Sequence, residues 1–139
     1  MAEKIRNVMS KDLVTLDRKA TVAEAARQMR DASVGDVLVL SGGKLCGILT
    51  DRDIVVRCVA DGADPTACSI DQLVSDELAT LSPGDSVEDA IDLMRRKAIR
   101  RIPIVENERP VGILSLGDLA LRRDRESALG EISAAPPNA

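Results

Sequence analysis

The chain is one motif written twice. An offset of 65 residues aligns its two halves without a gap, matching Ser10 to Ser75, Leu13 to Leu78, Thr15 to Thr80, Leu16 to Leu81, Val22 to Val87 and Ala25 to Ala90. The same offset matches Met29 to Met94, Arg30 to Arg95, Gly47 to Gly112, Ile48 to Ile113, Leu49 to Leu114 and Asp53 to Asp118. These are 12 identities over the 44 positions from 10 to 53, where average composition gives about 3 by chance. A duplication of this kind predicts two copies of one supersecondary unit, each with an apolar face to cover.

The copies share one order of elements. A short extended piece (Leu13–Leu16, Leu78–Leu81) leads into a helix that opens on Thr21 with Glu24, or Ser86 with Asp89, at capping-box spacing. Val22, Ala25, Ala26 and Met29 in one copy, and Val87, Ala90, Ile91, Met94 and Ala98 in the other, then fall on one helical stripe. Two β-branched runs follow in each copy, Val37–Leu40 with Leu45–Thr50 and Ile102–Val105 with Pro110–Ser115. The tetrapeptides between them, Ser41–Lys44 and Glu106–Arg109, suit hairpin turns. A second helix is expected from Asp51 to about Ala60, and from Leu116 to about Arg123. Each copy is therefore β-α-β-β-α, and the fold class is α+β. One small sheet and two helices leave a sheet face bare, which predicts two copies packed sheet to sheet around a pseudo-twofold axis.

The expected division places the first copy, with the N-terminal segment, at 1–62 and the second at 70–125. A linker at 63–69 carries Asp-Gly, Asp-Pro and Ser turn chemistry at its borders. The tail at 126–139 ends in Ala-Ala-Pro-Pro-Asn-Ala and has little to bury.

Composition narrows the chemistry. The 139 residues include no Phe, Tyr, Trp or His. No Ser-His or Cys-His pair and no histidine metal site can form, so no catalytic residue and no metal ligand set is expected. There is no aromatic platform for stacking single-stranded nucleic acid. With 19 Lys+Arg against 23 Asp+Glu the net charge is −4, which also argues against a general grip on DNA or RNA. No stretch is long enough to span a bilayer, and Met1–Ser10 lacks the apolar run of an export signal. Cys46, Cys58 and Cys68 form no C-x-x-C pair, which fits reduced thiols in a cytoplasmic chain. Cys46 in a strand and Cys58 on an apolar helix stripe are expected to be buried, leaving Cys68 in the linker as the reactive one.

The polar residues able to carry chemistry recur at one corner. Each copy ends a strand in Gly-Ile-Leu-hydroxyl and enters a helix with Asp three residues on: Gly47-Ile48-Leu49-Thr50-Asp51-Arg52-Asp53 and Gly112-Ile113-Leu114-Ser115-Leu116-Gly117-Asp118. Unpaired N–H groups at a helix start favour an anion, to which Thr50 or Ser115 can donate. A carboxylate at Asp53 or Asp118 can accept from both hydroxyls of a ribose. The same text also describes an ordinary N-cap with an acid in the first turn. Spacing alone does not choose between the two, because a duplication copies caps as well.

The repeat length, the element order and the Gly-h-h-Thr/Ser-x-x-Asp ending resemble the CBS domain (the cystathionine β-synthase motif). Val34-Gly35 through Thr50-Asp51-Arg52-Asp53-Ile54, and Arg100-Arg101-Ile102-Pro103-Ile104-Val105, are typical text of that family. Two copies resemble a Bateman module, here a stand-alone bacterial one, over about residues 4–123. The resemblance implies binding of an adenosine-containing ligand (AMP, ADP, ATP, S-adenosylmethionine or NAD) in clefts between paired sheets. Carried over, Asp53 and Asp118 hold ribose, and Thr50 and Ser115 help with phosphate. Val14, Thr15, Val37, Ala79, Thr80, Ile102 and Pro103 surround adenine. No cofactor is implied, since the nucleotide is a regulatory ligand. A homodimer and a separate downstream protein partner are implied, with no enzymatic role. The other reading is a constitutive adaptor that binds no nucleotide.

The copies differ at the corner. Arg100-Arg101 replaces Gly35-Asp36, and Leu116-Gly117 replaces Asp51-Arg52. Two guanidiniums suit a phosphate chain, so the second copy is expected to hold phosphate better.

Overall fold

The computed structural model describes residues 3–74 and 78–123. The tail expected at 126–139 lies outside the described residues. In chain order the elements are β1 (Thr15–Asp17), α1 (Val22–Ala32), β2 (Asp36–Ser41), β3 (Lys44–Thr50), α2 (Asp51–Ile54), α3 (Val87–Lys97), β4 (Arg101–Glu106), β5 (Arg109–Ser115) and α4 (Leu116–Arg123). Two 3-10 turns, Ile5–Asn7 and Ile70–Gln72, stand 65 residues apart ahead of the two repeats. The fold is mixed α+β with two repeats, as the sequence predicts.

The first repeat carries its sheet in the order β1-β2-β3. β1 runs parallel to β2 with Thr15 opposite Leu38, and β2 runs antiparallel to β3 with Asp36 opposite Thr50. α1 starts where the Thr21 hydroxyl accepts from the Glu24 N–H at 3.1 Å. It buries Val22, Ala25 and Met29 against Val37, Val39, Leu49, Cys58, Ile70 and Leu73. After α2 the chain widens into a π-helical turn over Val55–Val59, where Ala60 N–H reaches back to the Val55 carbonyl at 2.9 Å. The expected single helix to Ala60 is thus an α turn followed by a π turn. Its three valines are β-branched and restricted in a helix, and Val55, Val56 and Val59 are exposed.

In the second repeat β4 and β5 pair antiparallel with Arg101 opposite Ser115. The Ser86 hydroxyl and Asp89 carboxylate close a full capping box at the start of α3. That helix buries Val87, Ala90 and Met94 against Ile5, Ile102, Ile104, Leu114 and Leu119. The strand expected at Leu78–Leu81 is reduced to one parallel bridge, Leu81 to Ile104. Two prolines account for this. Around β1, Leu38 N–H donates to Val14 O and Arg18 N–H donates to Leu40 O, each at 2.9 Å. The equivalent positions are Pro103 and Pro83, which have no N–H to give.

Both hairpins turn through two left-handed residues, Gly42 and Gly43 at φ 60° and 81°, and Asn107 and Glu108 at φ 54° and 65°. That twist matches a two-residue hairpin turn. Each hairpin also carries one extra residue at the same place. The register shifts between Val39 and Leu40 and between Ile104 and Val105, leaving Cys46 and Val111 as bulge residues. Cys46 is exposed as a result, contrary to the burial expected of it. Cys58 is buried as expected, and Cys68 is half-buried with its thiol 3.1 Å from Gln72 Oε1.

Packing at the leading segments crosses the repeat boundary. Residues 3–13 form a compact unit with 79–123, while 14–74 form the other with residue 78. Ile5 N–H donates to Asp85 O at 2.9 Å and Val87 N–H to Glu3 O at 2.9 Å, with Ile5 fully buried. In the other unit Ile70 N–H donates to Ala20 O and Val22 N–H to Cys68 O, both at 2.9 Å. Each repeat's first long helix is thus docked by the segment that precedes the other repeat in the chain.

Candidate functional site

At the end of β3, Thr50 N–H donates to Asp53 Oδ2 at 2.9 Å and Asp53 N–H donates to Thr50 Oγ1 at 3.1 Å. At the end of β5 the pair Ser115 and Asp118 repeats this at 2.9 and 3.1 Å. The capping role open in the sequence is therefore real in both copies. It uses one carboxylate oxygen of each Asp, and Oδ1 of each accepts no hydrogen bond among the described residues. A carboxylate has about four lone-pair sites. Capping and ribose binding are compatible at both positions, which are half-buried.

The strand register brings the other expected residues to the same end of each sheet. Val14 precedes β1 and gives its carbonyl to Leu38, so Val14, Val37 and Leu49 form one row across the first sheet, next to Thr50. In the second repeat the bridge from Leu81 to Ile104 sets Ala79 and Thr80 beside Ile102 and Pro103, with Leu114 and Ser115 beyond. Backbone bonds fold the preceding loop onto the helix start: Asp51 N–H donates to Gly35 O and Leu116 N–H to Arg100 O, each at 2.9 Å.

Of the residues expected around adenine, Val37 and Ile102 are 0% exposed, because alternation sends them to the face packed on α1 and α3. Pro103, the next residue along β4, is fully buried on the opposite face of the strand. Val14, Ala79 and Thr80 are half-buried and Thr15 is exposed.

Charge separates the two corners. Asp36 lies opposite Thr50 in the strand register, and Asp51, Arg52 and Asp53 follow Thr50 in the chain. Arg101 lies opposite Ser115 and Arg100 is bonded through its carbonyl to the first residue of α4. Gly35 is close to the first corner for a steric reason as well: a Cβ there would sit 3.1 Å from Asp51 Oδ2. Arg100 fills the equivalent position in the second repeat, where Leu116 replaces Asp51.

A glycine at the position of Gly47 and Gly112 leaves room for another backbone or a ligand, and in both repeats another segment fills that room. A Cβ on Gly47 would collide with Val74, and one on Gly112 would lie 2.5 Å from Met9 Sδ and 3.0 Å from the Ser10 carbonyl. These glycines admit the leading segments, and Ser10 exchanges two 2.9 Å backbone bonds with Ile113. The offset of 65 pairs Met9 with Val74, a signal that could have found the contact. Among the described residues no three of His, Cys, Asp and Glu gather to hold a metal ion. No helix among them is long and apolar enough to cross a membrane.

Comparison with known proteins fits this architecture. The model of the CBS domain matches residues 5–59 and 70–124. The CBS domain-containing protein YhcV of Bacillus subtilis is 38% identical over 91% of this chain and 89% of its own length. The crystal structure of hypoxic response protein I, described with two coordinated zinc ions, superposes with a TM-score of 0.78 at 28% identity, over 86% of this chain and 98% of that one. The hexameric CBS-CP12 protein of bloom-forming cyanobacteria gives 0.80 at 27% identity, over 89% of this chain and 70% of that one.

Proposed function

This chain belongs to the CBS-domain family, and from that premise we propose that it is a regulatory module that binds an adenosine-containing ligand and signals to a separate protein. One observation carries the reading. A hydroxyl and a carboxylate each accept the other residue's main-chain N–H at a strand-to-helix corner in both repeats, with Oδ1 of the Asp left for a ribose. The half-buried backbone of the first extended segment lies at the same end of the sheet, where a purine can be held by main chain and aliphatic groups. Family membership raises the weight of ligand binding over plain capping. AMP, ADP, ATP, S-adenosylmethionine and NAD are the candidate ligands.

Asp53 and Asp118 accept from ribose hydroxyls, and Thr50 and Ser115 donate to phosphate oxygens. The bound ligand stabilises one conformation of the module, and a partner with differential affinity reads it. The role is regulatory and not catalytic, with a cytoplasmic location. Self-association is part of the proposal, in line with the hexameric relative.

The test uses the missing chromophores. With no Trp or Tyr, the purified protein absorbs little near 280 nm, so a 260 nm band reports co-purified nucleotide and mass spectrometry names it. Thermal melts followed by circular dichroism should rise saturably with the ligand. A melting point indifferent to every candidate favours the adaptor reading instead.

A further inference from the structure

We propose that Cys58 and Cys68 are a redox pair, which a hydroperoxide oxidises to an intramolecular disulfide tying the π turn after α2 to the segment docked on the start of α1. Neither thiol belongs to the strand-to-helix corner, so the pair is independent of the ligand reading.

The backbone brings the two residues together. Cys58 lies in the π turn over Val55–Val59, and the chain then doubles back. Ala63 N–H donates to the Cys58 carbonyl and Cys68 N–H to the Asp64 carbonyl, each at 3.0 Å. The Cys68 carbonyl in turn accepts from Val22 N–H at 2.9 Å, which holds the returning segment on α1. Both side chains enter one core. Cys58 is buried in it with Val22, Ala25 and Ile70, and Cys68 packs against the same cluster. Burial pushes the Cys58 thiol up, and Cys68 is the next cause, ahead of Asp64 and Asp61. Cys46 takes no part in that cluster. Among the described residues no third His, Cys, Asp or Glu gathers with the pair to hold a metal ion.

Exposure sets the order of events. Cys68 is half-buried, and its thiol meets Oε1 of the exposed Gln72 at 3.1 Å. Cys58 is 0% exposed, with its thiol 3.6 Å from the Ala63 carbonyl oxygen. A hydroperoxide therefore reaches Cys68 first. The Cys68 thiolate attacks one peroxide oxygen and breaks the O–O bond, giving a sulfenic acid, and the leaving oxygen takes up the thiol's proton. The Cys58 sulfur then attacks the Cys68 sulfur. The S–O bond breaks, and the departing hydroxide leaves as water with the Cys58 proton. Two electrons pass from the thiols to the peroxide. The new bond closes an 11-residue loop whose two ends already carry backbone bonds, so it restricts the unfolded chain more than it strains the fold.

The whole chain carrying Cys46→Ser tests this with hydrogen peroxide under native conditions. Remaining thiols are blocked, and the unreduced protein is cleaved on the N-terminal side of Asp61 and Asp64, which separates Cys58 from Cys68. Mass spectrometry should find the two fragments joined, two hydrogens lighter than the free thiols together, and dithiothreitol should part them. The oxidised protein should melt about 5 °C or more above the reduced one. In Cys58→Ala a dimedone adduct should accumulate on Cys68, and in Cys68→Ser the peroxide should leave Cys58 unmodified. If Cys58→Ala unfolds, the Cys46→Ser protein and Cys68→Ser still decide the matter. Over-oxidation of Cys68 beside a free Cys58, a link formed only between chains or only in denaturant, or a lower melting temperature after linkage overturns the inference.

Discussion

Thr50 and Asp53 hold each other: the main-chain N–H of each donates to the side chain of the other, at 2.9 and 3.1 Å. Ser115 and Asp118 reproduce the arrangement within the second repeat. A residue proposed to bind ribose thus also closes a helix start, and the two roles separate by substitution. Thr50→Ala and Ser115→Ala each remove a cap acceptor and should cost about 1 kcal/mol of stability without any ligand. Asp118→Asn keeps an oxygen for the Ser115 N–H, so it should melt close to the parent while losing nucleotide affinity. Chemical denaturation and ligand titration on the same samples check both statements.

Gly47 and Gly112 should tolerate no side chain. Gly47→Ala meets Val74, and Gly112→Ala meets Met9 Sδ and the Ser10 carbonyl. Each should lose about 1–3 kcal/mol by overpacking. Val74→Ala should recover part of the loss at Gly47. Met9→Ala should recover less at Gly112, because a backbone carbonyl 3.0 Å away remains. Equal rescue at both positions contradicts the assignment.

The leading segment 3–13 should be required by the second repeat. Ile5 is fully buried in its core, and Glu3 and Asp85 carbonyls are tied across to it. Ile5→Ala should cost about 2–5 kcal/mol. A fragment spanning 79–139 should unfold without cooperativity, and adding a peptide of residues 1–13 should restore a sigmoidal transition. A fragment that melts cooperatively without the peptide contradicts this packing.

The repeat, the caps and the hairpins were legible because each is a local signal. Capping boxes need three-residue spacing, hairpins need turn residues between β-branched runs, and the 65-residue offset doubles every such cue. The partners of Ile5 and Met9 were not legible, since nothing local states that a segment docks on the distant repeat. Burial of Val37 and Ile102 turns on which strand face meets the helix, a choice fixed by tertiary packing. The loss of the Leu78–Leu81 strand was present in the text as Pro83 and Pro103, but it becomes readable only once Leu38 and Arg18 are known to donate. Exposure of Cys46 depends on a bulge that no residue type announces.

The three thiols should therefore react in an order set by the fold. Cys46 is exposed and Cys58 buried, so alkylation of the native protein should label Cys46 and spare Cys58, with the half-buried Cys68 slower than Cys46. Partial burial of its surface, then Asp71, push the Cys46 thiol up, so its labelling should accelerate at alkaline pH. Burial, then Cys68, push the Cys58 thiol up. A neutral thiol favoured in the fold supports stability below the ordinary thiol value and loses that support as pH rises through the raised one. Stability should fall above about pH 8.5. Cys58→Ala should start less stable and fall less over the same range.

Direct titration of the purified chain with ATP bears on the ligand proposal more closely than any other experiment. Calorimetry should give saturable binding of ATP or another of the candidate ligands, strongly weakened when Asp53→Asn and Asp118→Asn are combined. Absence of heat for ATP, AMP, S-adenosylmethionine and NAD alike, with no shift in melting temperature, contradicts the nucleotide reading and leaves the corners as helix caps alone.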